Sequence, residues 1–288
     1  MKEKSPAVMA FVVSKVEAEQ SIQVFLSHKL AVSKRAAKNL LDDRVVWVNR
    51  RSVWMAHHIL RQGDTVEVPA ANKPKADVAA PQTKIRVLVE DDFYLVADKP
   101  SSIVTVGEGS VEEVLREQAQ QPALRAVHRL DRDTTGCLLL AKNAAAFEAA
   151  VALFKTRRVS KTYQVIVSGK FDRAASTVNQ ELDGERAISH IQREAIAKDA
   201  SFLQVKIETG RTHQIRRHLS SIRHPVLGDR EYGLKFARDP RLLTIPRQML
   251  HASGLEMPHP MLLGKTLKAH SPLPADFRRC LKLFEMGK

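Results

Sequence analysis

From residue 85 onward the chain is dominated by short apolar segments of strand length, and this pattern restricts the fold more than any other feature. Three helix-like patterns, at 111–120, 144–156 and 212–221, lie among these segments. Because strands outnumber helices and several can pair as hairpins, we predict an α+β domain with a mixed, largely antiparallel sheet. The predicted strands are IRVLV (85–89), FYLVA (93–97), CLLLA (137–141), YQVIV (163–167), AISHIQREAI (187–196) and FLQVKIE (202–208).

The glycine-rich loops that open nucleotide-binding parallel sheets are missing from this sequence. Neither G-x-x-x-x-G-K-[ST] nor G-x-G-x-x-G occurs, and Gly107 and Gly109 lack a third glycine and a following basic residue. We therefore expect neither a doubly wound sheet nor a cofactor.

Residues 69–84, with three Pro and five Ala among them, have the composition of a linker. They divide the chain into a small domain at 20–68, preceded by an N-terminal extension at 1–19, and a larger domain at 85–288. The sequence thus predicts two domains of unequal size.

The small domain shows two helical patterns followed by short strands. The first helix covers 21–31, Ser33 is placed to cap the second, and strands are predicted at 44–48 and 63–68. Basic side chains from the helices form either an ordinary solvated face or a phosphate-binding surface. The basic residues in question are Lys29, Lys34, Arg35 and Lys38.

The chain carries 46 Lys and Arg against 32 Asp and Glu, a net charge of +14. This surplus favours a polyanion as partner, although a generally basic surface would give the same composition. Two cysteines form no disulfide framework, and no apolar run is long enough for a membrane span or a secretory signal. We expect a cytoplasmic protein without membrane contact, monomeric by default.

The densest polar cluster directly precedes the apolar strand CLLLA and contains His128, Arg129, Asp131, Arg132 and Asp133. Such a cluster beside a buried strand is either a turn of mutual salt bridges or a functional site. A kinase catalytic loop would need a glycine-rich loop and D-F-G, and an aspartic-protease pair would need carboxylates free of cations. No H-x-H or H-E-x-x-H motif supports a metal, and none is expected.

An ionised Asp131, acting as nucleophile or electrostatic stabiliser, is the remaining interpretation, because the neighbouring arginines favour its charged form. Arg211 lies at a predicted strand-to-helix corner where Thr212 is placed to start the helix. Tyr163 begins a strand, where it either packs in the interior or stacks on a base.

Several side chains have plausible structural roles. His128 and His213 each stand beside a motif arginine and are expected to hold a loop through backbone hydrogen bonds rather than act as a base. Cys137 is expected in the core. Trp47 and Trp54 are predicted to anchor the core of the small domain, with base stacking by an exposed indole as the alternative.

Two resemblances join these observations. Residues 22–68 resemble the S4 RNA-binding module, with Arg50 where that module usually has glycine after the Asn of its V-N turn. The second set of motifs is, in chain order, D-K-P, H-R-L-D-R-D-T-T-G, K-T-Y, G-R-T-H-Q-I-R, R-H-P-V-L-G-D-R-E-Y-G and L-H-A-S-G-L-E-M-P-H-P. Together they resemble the RluA-type pseudouridine synthase family over about 85–280.

This second resemblance implies residue roles. Asp131 would be the catalytic aspartate, and Arg211 the arginine that pairs with it. Tyr163 would be the catalytic tyrosine that stacks against the target base and assists proton removal. Arg129 would enter the RNA where the base has left. Further candidates for RNA contact are His128, Lys34, Arg35, Lys38, Arg216 and Arg217. Thr135, Ser102 and Arg217 depart from residues frequent in the family, which affects only substrate fit.

The implied activity is isomerisation of uridine to pseudouridine, which needs neither metal nor coenzyme. Attack on C1′, attack on C6 and stabilisation of a glycal-like intermediate all require a carboxylate and stay open. Large-subunit ribosomal RNA is the favoured substrate, with a basic arm at 233–250 as a specificity element. The alternatives are a tRNA substrate, a non-catalytic RNA-binding or ribosome-assembly protein, and a metal-dependent RNA hydrolase.

Overall fold

The computed structural model describes residues 8–30, 32–43, 45–69, 84–233 and 240–286. The chain separates into two compact units, residues 1–83 and 84–288. Most of the predicted linker, residues 70–83, lies outside the described residues, as do residues 1–7 and residues 234–239 of the predicted basic arm. Among the described residues, no helix combines the length and apolarity needed to cross a lipid bilayer.

The N-terminal unit packs two helices against a four-stranded antiparallel sheet of order β1-β4-β2-β3. Ser33 caps the second helix as predicted, since its Oγ accepts a hydrogen bond from Ala36 N. The buried faces of both helices meet the inner strand face, with Phe25, Leu26 and Leu41 fully buried. The elements are β1 (Val8–Val12), α1 (Ile22–Leu30), α2 (Lys34–Asp42), β2 (Trp47–Val48), β3 (Arg51–Ser52) and β4 (Thr65–Pro69).

Two sequence-based expectations for this unit need correction. Val8–Val12, placed in an extension, forms β1 and pairs with β4, so the sheet begins before residue 20. Trp47 and Trp54 are 44% and 51% exposed and therefore do not anchor the core. The β2–β3 turn keeps its left-handed geometry without glycine, because Asn49 and Arg50 adopt φ of 49° and 64°.

The C-terminal unit is built on a ten-stranded mixed sheet with the main order β10-β11-β12-β9-β13-β8-β6-β5, to which β14 and β7 are added. The pairing of β13 with β8 is parallel, and the other pairings among the described strands are antiparallel. The predicted α+β class is confirmed. The strands are β5 (Arg86–Glu90), β6 (Tyr94–Lys99), β7 (Arg125–Ala126), β8 (Thr135–Ala141), β9 (Ser160–Ser168), β10 (Ala175–Asn179), β11 (Ile188–Ile196), β12 (Ala200–Ile207), β13 (Leu250–Pro258) and β14 (Thr266–His270).

Helices cover both faces of this sheet, which explains why β8 is buried at every position. Leu138 and Leu140 face the cluster that includes α3 and α5, whereas Cys137 and Leu139 face α4. Burial raises the pKa of the Cys137 thiol to about 12, and its predicted place in the core is confirmed. The helices are α3 (Val111–Ala119), α4 (Ala144–Lys155), α5 (Gln214–Ser221), α6 (Pro240–Leu243) and α7 (Ala275–Leu283).

Candidate active site

The loop between β7 and β8, which carries Asp131, is fixed by hydrogen bonds to its backbone. Thr105 Oγ1 donates to Leu130 O at 2.9 Å and accepts from Leu130 N at 3.1 Å. The buried Lys99, at the end of β6, donates through Nζ to the carbonyls of Arg132 and Thr134, at 2.8 and 3.0 Å. The backbone is thus held on both sides of Asp131, a requirement for a preorganised site.

Lys99 completes three hydrogen bonds by donating to Pro100 O at 3.0 Å. An ammonium has three donors, so the three carbonyls match its protonated form. Burial lowers the pKa of Lys99 to about 7, and the nearby Asp133 partly opposes that effect. The lysine of the D-K-P segment therefore stabilises the loop that carries Asp131.

The exit from this loop requires glycine. Gly136 has φ of 109°, in the region that favours glycine, and a Cβ there would collide with the carbonyl oxygen of Ala252 in the parallel neighbour β13. The H-R-L-D-R-D-T-T-G segment thus ends in a close contact between two strands.

Asp131 is 29% exposed and is contacted by side chains distant in sequence. Arg216 Nη1, on α5, donates to its Oδ2 at 3.1 Å. Gln248 Nε2 lies 3.4 Å from the same oxygen and donates to Thr134 Oγ1 at 2.8 Å. His213 Nε2 lies 3.8 Å from Oδ1. The carboxylate is oriented by these groups and still reaches solvent.

Arg216 is buried, and its guanidinium joins Asp131 to a second acid cluster. Its Nε and Nη2 form a bidentate pair with the fully buried carboxylate of Asp229, at 2.6 and 2.9 Å, and Nη2 also donates to Glu231 at 3.1 Å. Burial alone would raise the pKa of Asp229, but hydrogen bonds from Arg216 and from Tyr232 N hold it below its ordinary value. Asp229 therefore fixes the orientation of the guanidinium and, with it, the direction in which Nη1 donates to Asp131.

The structure corrects the predicted pairing of Arg211 with the aspartate. Arg211 forms an ion pair with Glu185, and its Nε lies 3.4 Å from Arg186 O. The reason is the start of α5: Thr212 does not cap it, and His213 occupies the N-cap in the left-handed conformation, with φ of 52°. Arg211 consequently precedes the helix, whereas Arg216 lies within it and extends to Asp131.

Tyr163 on β9 lies close enough to Asp131 for the two to interact electrostatically, but it is only 8% exposed and packs within the apolar cluster. Burial raises the pKa of its phenol, and the negative charge of Asp131 raises it further. The side chain is therefore a neutral phenol at the site, and little of its ring is open to solvent.

Neighbouring His128 and Arg129 have different surroundings. Arg129 is exposed. His128 Nε2 accepts a hydrogen bond from Leu139 N at 3.1 Å, and its ring stacks on Phe154 with a centroid distance of 5.1 Å. Burial, and secondarily the charge of Lys161, lowers the pKa of His128 to about 3. These contacts favour the structural role for His128 over the alternative of RNA contact.

Four further candidates for RNA contact are Lys34, Arg35, Lys38 and Arg217. Lys34 and Lys38 are exposed on α2, and the side chain of Arg35 lies outside the described part of the structure. Arg217 is the neighbour of Arg216 but pairs with Asp183 in a bidentate contact at 2.7 and 3.1 Å. Among the residues that the structure describes, no group of three or more His, Cys, Asp or Glu side chains is arranged to hold a metal ion.

The sequence analysis assigned no individual role at this site to four residues, Lys99, Asp229, Arg247 and Gln248. Lys99 and Asp229 stood inside the quoted D-K-P and G-D-R-E-Y-G segments, so a signal for them was present. Arg247 and Gln248 lie at the end of the predicted basic arm, just before β13, and both are buried, which corrects the expectation that the whole arm is exposed. Arg247 Nη1 donates to Asp133 O at 3.1 Å, and its Nε pairs with Asp276 of α7 at 2.7 Å.

Comparison with known proteins gives a consistent set of similarities. Residues 93–221 match the family model described as RNA pseudouridylate synthase. The ribosomal large subunit pseudouridine synthase D of Pseudomonas aeruginosa is 33% identical over 80% of this chain and 81% of that protein. The ribosomal large subunit pseudouridine synthase C of Yersinia pestis is 30% identical over 98% of this chain and 97% of its own length.

A solved structure is similar as well. Human RNA pseudouridylate synthase domain containing 1 superposes with a TM-score of 0.60 and 25% sequence identity. The similarity covers 70% of this chain and 89% of the human chain.

Proposed function

Because this chain belongs to the RNA pseudouridylate synthase family, we propose that it isomerises specific uridines of large-subunit ribosomal RNA, with Asp131 as the catalytic carboxylate. The bacterial relatives are named for that RNA, and their similarity extends over most of this chain. One observation carries the assignment of Asp131: its carboxylate is oriented by the buried Arg216 and by Gln248, yet stays partly open to solvent.

The reaction breaks the C1′–N1 bond and forms a C1′–C5 bond, while C5 loses a proton and N1 gains one. A carboxylate serves this exchange by attacking C1′ or C6 or by stabilising a glycal-like intermediate. In each route the guanidinium of Arg216 keeps one carboxylate oxygen fixed, so that the other can face the substrate. Arg216, not Arg211, is therefore the positioning arginine in this proposal.

Tyr163 has a limited range of roles at this site. Burial and the charge of Asp131 raise the pKa of the Tyr163 phenol, so its hydroxyl stays protonated at neutral pH. A protonated phenol cannot accept the C5 proton as a base. We assign the neutral phenol, which is 8% exposed and near enough to Asp131 to interact electrostatically, to contact with the edge of the uracil ring.

Reaching C1′ within folded RNA requires that the nucleotide leave its stack, and a side chain must then fill the gap. The exposed Arg129, two residues before Asp131, is the group that we assign to this role. Its guanidinium is planar and can stack on the neighbouring bases.

The N-terminal unit is assigned as an S4-type RNA-binding module. Its support is the order of two helices, the V-N turn and the final strand, together with Lys34 and Lys38 exposed on α2. These lysines would neutralise RNA phosphates without reading sequence.

Carbodiimide mapping of pseudouridine in total RNA tests the function in a strain that lacks this protein. Complementation by the wild type should restore one or a few large-subunit sites, Asp131→Asn should restore none, and the neighbouring Asp133→Asn should restore them. Lost sites in tRNA would reject the ribosomal substrate. If no site is lost while RNA still co-purifies, the protein is a non-catalytic RNA-binding protein.

A further inference from the structure

Two arginines beside the active site are occupied by acidic side chains from one hairpin. The connection between β10 and β11 closes through paired backbone hydrogen bonds between Leu182 and Glu185, with Asp183 and Gly184 in left-handed conformations. The acidic tip of this hairpin, Asp183 and Glu185, extends to the first turns of α5. Asp183 holds Arg217 at 2.7 and 3.1 Å, and Glu185 pairs with Arg211.

The base of the hairpin is attached to the α5 region much more firmly than its tip. His218 on α5 is fully buried; its Nδ1 lies 2.9 Å from Ser189 Oγ and its Nε2 lies 3.1 Å from Gln180 O. Gln214 Nε2 donates to Ile188 O at 2.9 Å. The fixed base therefore keeps the tip beside α5 whether or not the tip's own ion pairs are formed.

The ion pairs at the tip are open to solvent. Asp183 and Glu185 are 71% and 57% exposed, and their partners Arg217 and Arg211 are 27% and 35% exposed. Ion pairs between exposed side chains contribute little net stability, so a competing anion can replace the carboxylates at small cost. The bidentate geometry that Asp183 presents to Arg217 is also the geometry of an arginine–phosphate contact.

The position of these arginines makes RNA phosphate the relevant competitor. Arg217 follows Arg216, which holds Asp131, and Arg211 lies two residues before His213, whose Nε2 is 3.8 Å from Asp131. A polynucleotide whose uridine reached Asp131 would bring its phosphates to this part of the surface. The wider charge of +14 favours such a polyanion as the ligand.

We propose that the acidic tip is a phosphate placeholder: Asp183 and Glu185 keep Arg217 and Arg211 ordered in the free protein, and RNA phosphates replace them on binding. The inference rests on the proposed function, since it assumes an RNA substrate. Its consequence is a reduced affinity for RNA in general, because every ligand must displace two carboxylates. Only an RNA that makes further contacts, including those of the flipped uridine, overcomes this competition.

The test compares charge-neutral variants in the full-length chain. Asp183→Asn and Glu185→Gln should each tighten binding of an oligo(A) RNA by about two- to fivefold, because each removes a competitor of an exposed ion pair. Each should also steepen the decrease of log K with log salt by about 0.7, since the freed arginine then displaces a counterion from RNA. Fluorescence anisotropy over a salt series measures both quantities.

Glu181→Gln is the matched control. Glu181 is exposed on the same hairpin, and the described part of the chain shows no ion pair to it, so its substitution changes net charge equally without releasing an arginine. A second control is the cycle with Arg217→Gln: this change should weaken binding, and Asp183→Asn should then have no further effect. Thermal unfolding of each variant checks that the fold is retained.

Three outcomes would overturn the proposal: weaker binding by Asp183→Asn and Glu185→Gln, an effect equal to that of Glu181→Gln, or an effect of Asp183→Asn that persists in the Arg217→Gln background. Tritium release from C5-tritiated large-subunit ribosomal RNA, measured in parallel, tests the proposed function separately. A wild-type protein that binds RNA but releases no tritium would reject the enzymatic function and leave the binding result standing.

Discussion

Arg216 Nη1 donates to Asp131 Oδ2 at 3.1 Å and thereby joins two sequence motifs that are 85 residues apart. The buried Asp229 occupies the other edge of the guanidinium, so the direction of this donor is fixed before any substrate binds. A planar fork with several donors makes both contacts at once, which a lysine could not do. The orientation of the carboxylate thus depends on packing beneath α5 as much as on the loop that carries it.

Asp131→Asn should abolish turnover, with a loss of about 10⁴-fold, while RNA affinity stays within a few fold of wild type. The change removes the carboxylate but keeps its shape, and many other charges contribute to RNA binding. Tritium release and a binding titration on the same RNA measure the two effects. Asp133→Asn is the control, because Asp133 is the neighbouring acid and pairs only with Arg132 at 3.6 Å among the described contacts. A large loss of RNA binding in Asp131→Asn would show that Asp131 is structural.

Arg216→Lys should lower kcat by about 10²-fold, because a misplaced carboxylate loses the geometry of attack. The same change at Arg211 should leave kcat within a few fold and act mainly on KM, since Arg211 contacts Glu185 and not Asp131. Steady-state kinetics of the two variants separate these effects. A larger kcat defect in Arg211→Lys than in Arg216→Lys would show that Arg211 positions Asp131, as the sequence resemblance implied.

The difference between these arginines shows what the sequence could predict. The α+β class, most strands of the C-terminal unit and the charged loop around Asp131 followed from apolar patterns and motifs. The identity of the pairing arginine did not, because it depends on where α5 begins, and His213 in the left-handed conformation moves that start past Thr212. The contribution of Gln248 arises from a parallel strand pairing distant in sequence, which no local pattern indicates.

Asp229→Asn should lower the free energy of unfolding by about 3–5 kcal/mol, because it leaves the buried Arg216 without its bidentate partner. The folded pKa of Asp229 lies below its ordinary 3.8, so its contribution is present above pH 3.8 and lost as pH falls through the lower folded value. Urea unfolding at neutral pH measures the loss. Glu231→Gln, at a site that is 53% exposed, should cost far less. Equal losses would show that the two acids support Arg216 equally.

Lys99 should make the stability of the C-terminal unit rise with pH. Its folded pKa is about 7 and its ordinary value 10.5, so between these values the unfolded chain binds more protons than the folded one. The free energy of unfolding should then increase by up to about 1.4 kcal/mol per pH unit from this residue. Urea unfolding from pH 7 to 9 measures the slope in wild type and in Lys99→Met. If Lys99→Met leaves the slope of the unfolding free energy against pH unchanged, groups other than Lys99 cause the pH dependence.

Removal of residues 1–83 should weaken RNA binding and flatten its salt dependence while preserving some turnover on a short RNA. Residues 84–288 form their own compact unit and contain every group that contacts Asp131 in the described structure. Each lost phosphate contact should reduce the slope of log K against log salt by about 0.7. The double substitution Lys34→Gln and Lys38→Gln in the full-length chain is the matched variant, because both lysines are exposed on α2. If the truncated chain loses affinity and the double variant does not, the phosphate contacts lie elsewhere in the N-terminal unit. If neither variant loses affinity, the N-terminal unit does not bind this RNA.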